Sequence, residues 1–207
     1  MEIYLIRHGQ SKSNNDGTIQ GQFDSPLSDL GIHQARLIRE YLPKDYDMVY
    51  SSPLQRARDT ALIALKIQID HPKLEIVDNL KEIGLGELEG IHSSTLDFSK
   101  DQFREHAYLR EDLFNGKFGA EKLVDFKSRA AEVFNKILKN SQNKKFNRIL
   151  IFSHGGIMRA ILNYYLNLTA ETIYNTDIIK LSKSNGSWKY IQLNHNNIPQ
   201  SIESSNE

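Results

Sequence analysis

The 207-residue chain contains no cysteine and has no excess of charge of either sign. Without cysteine it cannot form a disulfide scaffold, a thiolate metal cluster or a cysteine nucleophile. Its 26 basic and 26 acidic residues give a formal net charge of +0, so no overall field attracts a nucleic acid or an anionic membrane. We therefore expect neither as a partner.

Long hydrophobic runs are also missing. Near the N-terminus a four-residue apolar run separates Glu2 from Arg7, which is far shorter than a signal peptide or a membrane helix requires. We expect a soluble, cytoplasmic protein. Apolar residues still make up 39% of the chain, which is enough for an independent core, and the length favours one domain over residues 1–207.

Short apolar runs alternate with segments of helical periodicity, which is the pattern of an α/β domain. The predicted strands are the runs 3–6, 48–50, 74–77, 149–152, 178–181 and 188–193, the last two joined by an Asn185-Gly186 turn. The predicted helices comprise one capped by Ser28, one with Ser52 as N-cap and Pro53 as its first residue, and two over 121–140 and 157–166. Together these elements predict a three-layer α/β/α sandwich with a mainly parallel sheet.

Two stretches do not fit this alternation. Residues 91–118 mix aromatic and charged side chains, and we predict a small helical insertion there over the active site. Residues 199–207 are polar and are expected to form a disordered tail.

Polar clusters follow three of the predicted strands. These clusters are Arg7-His8-Gly9, Ser51-Ser52-Pro53-Leu54-Gln55-Arg56 and Ser153-His154-Gly155-Gly156. Because ligands of parallel α/β sheets bind beyond the carboxyl ends of the strands, we expect the clusters to share one pocket. Two arginines, two histidines and free N–H groups at helix starts in one pocket favour a phosphoryl group as ligand.

Catalysis at such a pocket needs a nucleophile and a proton donor. A neutral histidine whose Nδ1–H is held by a carbonyl oxygen presents Nε2 as an attacking nitrogen. Glu82 follows the third predicted strand, and a neighbouring phosphoryl group would disfavour ionisation of its carboxyl group. A protonated Glu82 could then donate to the leaving oxygen.

The motifs of this chain resemble those of the histidine phosphatase superfamily, also called the phosphoglycerate mutase-like family. The resemblance covers roughly residues 1–165. The matching motifs are Arg7-His8-Gly9; Gly21, Asp24, Pro26-Leu27, Gly31 and Gln34-Ala35; Ser51-Ser52-Pro53-Leu54-Gln55-Arg56-Ala57 with Thr60-Ala61; Glu82 with Gly86 and Glu89-Gly90; and Ser153-His154-Gly155-Gly156. One departure is Gly119-Ala120-Glu121-Lys122, where many members have Gly-Glu-Ser.

The resemblance implies that His8 becomes a phosphohistidine and that Glu82 acts first as general acid and then as base toward water. It implies that the phosphoryl group is surrounded by Arg7, Asn14, Arg56 and His154. The predicted binding set also includes Ser11, Gln20, Gly21 and Gly155. The other histidines follow no ligand spacing, so we predict no metal and no cofactor.

These features favour a phosphomonoesterase whose partner is a small phosphate ester. One alternative is a cofactor-dependent phosphoglycerate mutase, although mutases of this family usually have a longer insertion and Glu-Arg-His-Tyr-Gly where this chain has Glu82-Ile83-Gly84-Leu85-Gly86. A second alternative is a regulatory protein that only binds phosphate. The sequence is compatible with sugar phosphates, phosphoglycerates or nucleotide-like phosphates as substrates, and with a scavenging phosphatase of low specificity.

Overall fold

The computed structural model describes residues 1–95, 116–168, 172–184 and 187–193. The strands are β1 Glu2–Arg7, β2 Met48–Ser51, β3 Leu74–Ile76, β4 Arg148–Ser153, β5 Ile178–Ser184 and β6 Ser187–Gln192. The α-helices are α1 Lys12–Asp16, α2 Asp29–Leu37, α3 Gln55–Leu65, α4 Leu123–Asn143 and α5 Gly155–Leu166. Short 3₁₀ helices lie at Ile38–Tyr41, Asp78–Leu80, Gly86–Leu88, Ser93–Thr95 and Lys117–Gly119.

The six strands form one sheet in the order β3-β2-β4-β1-β5-β6. Four neighbouring strands, β3, β2, β4 and β1, run parallel to one another. At one side of the sheet β5 pairs antiparallel with β1, and β6 pairs antiparallel with β5. The prediction of a mainly parallel sheet is therefore confirmed. The parallel strands bring the carboxyl ends of β1, β2 and β4 to one edge of the sheet.

Alternate side chains of β1 and β4 supply two hydrophobic cores, one on each face of the sheet. Ile3 and Leu5 pack into the core that the buried faces of α4 and α5 cover. Tyr4 and Ile6 point the other way, into the core that includes Ala61 of α3. The result is the predicted three-layer arrangement, with the sheet between two helical layers.

Helix α4 shows how directly the apolar pattern specifies an element. The residues of its predicted stripe are all buried: Leu123, Phe126, Ala130, Val133 and Ile137. The helix begins at Leu123 rather than at residue 121, because Lys122 is in an extended conformation and caps the helix through its backbone.

The predicted start of α3 is wrong. The helix begins at Gln55, its N-cap is Leu54, and Pro53 lies outside it. The carboxylate of Asp24, from a distant loop, accepts the Gln55 N–H at 2.8 Å. The Oγ of Ser52 instead lies 2.8 Å from Nε2 of His154. A cap supplied by another part of the chain cannot be found from local sequence.

Three sequence predictions concern parts of the chain that lie wholly or mostly outside the described residues: the insertion 91–118, the tail 199–207 and the Asn185-Gly186 turn. They stay predictions, as does the single-domain assignment. Among the described helices, none combines the length and apolar character needed to cross a membrane.

Candidate active site

A pocket of about 230 Å³ opens at the carboxyl ends of the parallel strands. Its lining combines cations, hydroxyl and amide groups, one carboxylate and a few aliphatic side chains. The lining residues are Arg7, His8, Ser13, Asn14, Gly17, Thr18, Ile19, Gln20, Gly21, Arg56, Glu82, Ile83, Leu85, Ser93, Gly156 and Arg159. Three segments predicted to meet, those after β1, β2 and β4, all contribute to this pocket or to its immediate surroundings.

His8 follows β1 directly and is almost completely buried, with 3% of its surface exposed. Its Nδ1 lies 2.7 Å from the carbonyl oxygen of Gly9, and because a carbonyl only accepts, Nδ1 carries the proton. Burial, together with the charges of Arg56 and Arg7, lowers the pKa of His8 well below the ordinary 6.5. The ring is therefore neutral at pH 7, with an unprotonated Nε2 inside the pocket.

Arg56 comes from the first turn of α3 and is 1% exposed. Its Nε–H donates to His8 Nε2 at 3.3 Å, while its two terminal nitrogens donate to the carbonyl oxygens of Phe23 and Gly21 at 2.9 and 2.7 Å. Burial lowers the pKa of Arg56 to about 10, so it is charged at neutral pH. Arg58, two residues later, instead pairs with Asp59.

Arg7, the last residue of β1, supplies a second guanidinium. It donates to the carbonyl oxygen of Ile173, and its Nε has no hydrogen-bond partner among the described residues. Desolvation and the nearby charge of Arg159 lower the pKa of Arg7 to about 10. Arg7 also keeps its charge at pH 7, and a buried N–H group without a partner is suited to an anionic ligand.

His154 is the N-cap of α5 and is fully buried behind His8, the two ring centroids being 5.2 Å apart. Its Nε2 contacts Ser52 Oγ, and its Nδ1 has no partner among the described residues. Burial, followed by the charges of Arg56, His8 and Arg7, lowers the pKa of His154 well below 6.5. His154 lies beside His8 but does not itself line the pocket.

Glu82 reaches the pocket from the loop after β3. Its two carboxylate oxygens accept the N–H groups of Ile83 at 3.0 Å and of Gly156, in the first turn of α5, at 2.9 Å. A Cβ atom at position 156 would lie only 2.2 Å from the Glu82 carboxylate, so glycine is needed for this approach. Each carboxylate oxygen keeps a lone pair that can take up a proton.

The other nearby glutamates are in different environments. Glu89 accepts the N–H groups of Gln22 and Leu85, at 2.8 and 2.7 Å, and so ties the loop after α1 to the segment that follows Glu82. Glu87 is exposed. Neither belongs to the pocket lining, to which Glu82 contributes.

The remaining predicted binding residues divide into two groups. Asn14, Gln20 and Gly21 line the pocket. Ser11 lies just behind them, where its hydroxyl caps α1 and donates to Gln20 Oε1 at 2.8 Å. Gly155 was predicted to line the pocket but lies outside the lining. The next residue, Gly156, lines the pocket instead.

Sequence reasoning assigned no role at this site to several of its residues, including Arg159, Asn175 and Ser52. Arg159 lines the pocket because it lies three residues after Gly156, about one turn further along the same face of α5, a spacing that could have identified it. Asn175 donates to the His8 carbonyl oxygen at 3.0 Å, and no motif marks its position. Ser52 contacts His154 as described above. In the described part of the chain no group of histidine and acidic side chains is arranged to hold a metal ion.

Comparisons with known proteins agree with this architecture. A sequence model of the histidine phosphatase superfamily (branch 1) matches residues 3–199. The metal-independent phosphoserine phosphatase of Arabidopsis thaliana is 33% identical over 81% of this chain and 68% of its own length. A broad-specificity phosphatase of Saccharomyces cerevisiae is 30% identical, over 86% and 77% respectively. The structure of phosphoglycerate mutase from Bacillus anthracis has the same fold, with a TM-score of 0.79, 23% identity and coverage of 93% and 92%.

Proposed function

The chain belongs to the histidine phosphatase superfamily (branch 1), and from this membership and the pocket we propose that it hydrolyses small phosphomonoesters through a phosphohistidine on His8. The observation that carries the proposal is the state of His8. Its Nδ1–H is held by the Gly9 carbonyl, and its unprotonated Nε2 lies beside the Arg56 guanidinium.

In the first step, Nε2 of His8 attacks phosphorus in line with the ester oxygen. An N–P bond forms as the P–O bond to the leaving group breaks, and the Glu82 carboxyl proton passes to the leaving oxygen. Arg7 and Arg56 carry the charge that balances the phosphoryl oxygens, and the first-turn N–H groups of α5 add a favourable dipole. The neutral alcohol departs, leaving phosphohistidine and an ionised Glu82.

In the second step, the Glu82 carboxylate accepts a proton from water as the water oxygen attacks phosphorus. The N–P bond breaks, inorganic phosphate forms, and His8 and protonated Glu82 are restored. One carboxyl group thus serves both half-reactions. His154 and Asn14 complete the proposed surroundings of the phosphoryl group, with Gln20, Gly21, Ser11 and Gly155 as the outer binding set.

Hydrolysis is favoured over transfer to a second hydroxyl group. The two curated relatives described above are named phosphatases, whereas other relatives of similar identity are named phosphoglycerate mutases, so the names alone do not decide between the two reactions. The preference for hydrolysis comes from the acid segment, where this chain has Glu82-Ile83-Gly84-Leu85-Gly86 in place of the mutases' Glu-Arg-His-Tyr-Gly. The name of the Arabidopsis relative makes phosphoserine the first substrate to test. The cytoplasmic location stays a prediction from the sequence.

The test uses purified protein, p-nitrophenyl phosphate and phosphoserine, each with and without EDTA. We expect turnover that EDTA leaves unchanged, and an acid-labile phosphate label on the protein that is absent in His8→Ala. Failure to hydrolyse any phosphomonoester of a metabolite panel would contradict the proposal. Label that persists in His8→Ala, or turnover that needs added metal, would contradict the histidine mechanism.

A further inference from the structure

An ion pair outside the pocket lies directly behind Glu82. Arg129 of α4 contacts both carboxylate oxygens of Glu121, with Nε–Oε1 and Nη2–Oε2 distances of 2.8 Å. The two side chains are only 17% and 19% exposed. Neither residue lines the pocket, so the pair has no direct contact with substrate in the proposed reaction.

The same pair holds the backbone of residues 79–84, which we call the acid loop because it carries Glu82. Arg129 donates to the carbonyl oxygens of Asn79, Lys81 and Glu82 at 2.9, 2.8 and 3.2 Å. Glu121 accepts the Gly84 N–H through its side chain at 3.1 Å and donates its own N–H to the Gly84 carbonyl oxygen at 2.8 Å. These contacts fix the acid loop before and after Glu82.

The guanidinium is itself anchored to the core. Its carbon lies 5.2 Å from the centre of the Phe126 ring, one turn earlier on α4, and Phe126 is fully buried. Because α4 is 21 residues long and packed along its whole apolar face, it provides a rigid base for the contact. A planar guanidinium with five donors can bond a carboxylate and several carbonyl groups at once, which a lysine ammonium cannot match in geometry.

We propose that Arg129 and Glu121 are positioning residues for the general acid, acting on proton transfer by Glu82 and not on phosphate binding. The inference rests on the proposed role of Glu82. The carboxylate is held from the other side by Gly156 at the start of α5. Glu82 is therefore clamped between two helices, α4 through its backbone and α5 through its side chain.

This assignment predicts a dependence on the leaving group. An alcohol needs a proton as it departs, whereas p-nitrophenolate hardly does. We expect Arg129→Gln to lower kcat/KM about 10- to 100-fold for phosphoserine, or for the alkyl phosphate that the wild type hydrolyses fastest. The loss for p-nitrophenyl phosphate should stay below about threefold. The ratio kcat/KM is used because it reports the steps up to release of the leaving group and excludes hydrolysis of phosphohistidine.

Three further variants sharpen the measurement. Glu82→Gln is the reference and should lose about 10²- to 10⁴-fold on the alkyl phosphate, with a smaller loss on p-nitrophenyl phosphate. Arg129→Gln placed in the Glu82→Gln background should cause no further loss, because its effect passes through that carboxyl group. Arg148→Gln is the matched control, since Arg148 pairs with Glu2 at the amino-terminal ends of β4 and β1, away from the pocket. Arg148→Gln should keep the wild-type ratio of the kcat/KM values for the two substrates.

The outcomes separate this inference from the proposed function. If Glu82→Gln loses equally on both substrates, the acid role of Glu82 is wrong. If Glu82→Gln depends on the leaving group but Arg129→Gln loses equally on both substrates, or loses further in the Glu82→Gln background, the positioning role is wrong. Circular dichroism checks that each variant is folded. If Arg129→Gln does not fold, the two substrates are compared with Arg129→Lys instead, which should show an intermediate leaving-group effect.

Discussion

Residues of one type have different tasks in this protein because their surroundings differ. Arg56 is buried against His8, while Arg58 forms a partly exposed pair with Asp59. Ser28 and Ser52 differ in the same way. Ser28 accepts the Gly31 N–H at 3.1 Å and caps α2, whereas Ser52 contacts the buried ring of His154.

We predict that Ser52→Ala impairs both stability and catalysis. It removes the Nε2 contact from His154, whose Nδ1 has no partner among the described residues, and leaving a buried polar group unsatisfied costs about 1–3 kcal/mol. A reoriented His154 should also lower kcat/KM by about tenfold. Urea unfolding and steady-state kinetics measure the two effects.

The matched control is Ser128→Ala, because the Ser128 hydroxyl donates to Glu132 on the exposed surface of α4, away from the pocket. Its loss should change the free energy of unfolding by no more than about 0.5 kcal/mol and leave kcat/KM within about twofold of wild type. A Ser52→Ala enzyme that is destabilised but has unchanged kcat/KM would show that this contact does not orient His154 for catalysis.

At the scale of elements, the position of His8 depends on how closely α2 approaches the end of β1. A Cβ atom at Gly31 would lie 2.0 Å from the carbonyl oxygen of Gln10, and one at Gly9 would lie 2.6 Å from the carbonyl oxygen of Gly31. These are backbone atoms and cannot move aside cheaply. Two glycines thus allow a helix to pack directly on the segment that carries the proposed nucleophile.

We therefore expect Gly31→Ala to destabilise the protein, although glycine to alanine inside a helix normally stabilises it. Displacing the backbone near Gln10 should cost about 1–3 kcal/mol and move His8, so that kcat/KM falls as well. Gly155→Ala is the control for stability, because its Cβ would meet Arg7 at an ordinary 3.6 Å. Its unfolding free energy in urea should be unchanged or slightly raised. A Gly31→Ala protein as stable as Gly155→Ala would contradict the packing argument.

At the scale of the whole molecule, a net charge of zero coexists with a locally cationic pocket. Arg7 and Arg56 can lie close to His8 and to the neighbouring His154 because both imidazole rings are neutral, which burial and the arginine charges enforce. Fold stability is then linked to pH through these rings.

We predict that the free energy of unfolding decreases as the pH falls below about 6.5. The folded pKa of His8 and of His154 lies below the ordinary 6.5, so the unfolded chain binds more protons in this range, and acid favours unfolding. The slope should approach about 1.4 kcal/mol per pH unit for each histidine. Urea unfolding at several pH values between 7.5 and 5 measures it, and His154→Gln should reduce the slope. A flat profile over this range would contradict the buried neutral state.

Local patterns were sufficient for most of the elements. The apolar runs identified the strands, and the stripe from Leu123 to Ile137 identified α4, because burial of one face follows from residue spacing alone. The start of α3 was misplaced, because the N–H group of its first residue, Gln55, donates to Asp24, which is 31 residues away in the chain. The clamp on the acid loop was not predicted, because Arg129 and Asn79 are far apart in the chain.

The sequence by itself determined the chemistry that the pocket can perform, since the identities of His8, Arg7, Arg56 and Glu82 and their places after strands follow from the order of residues. The tertiary structure decided that Arg56 lies against Nε2 of His8 and which groups hold Glu82 in the pocket. Those contacts depend on distances between groups of separate elements. The packing of α3, α4 and α5 around the sheet sets these distances, and spacing along the chain does not specify them.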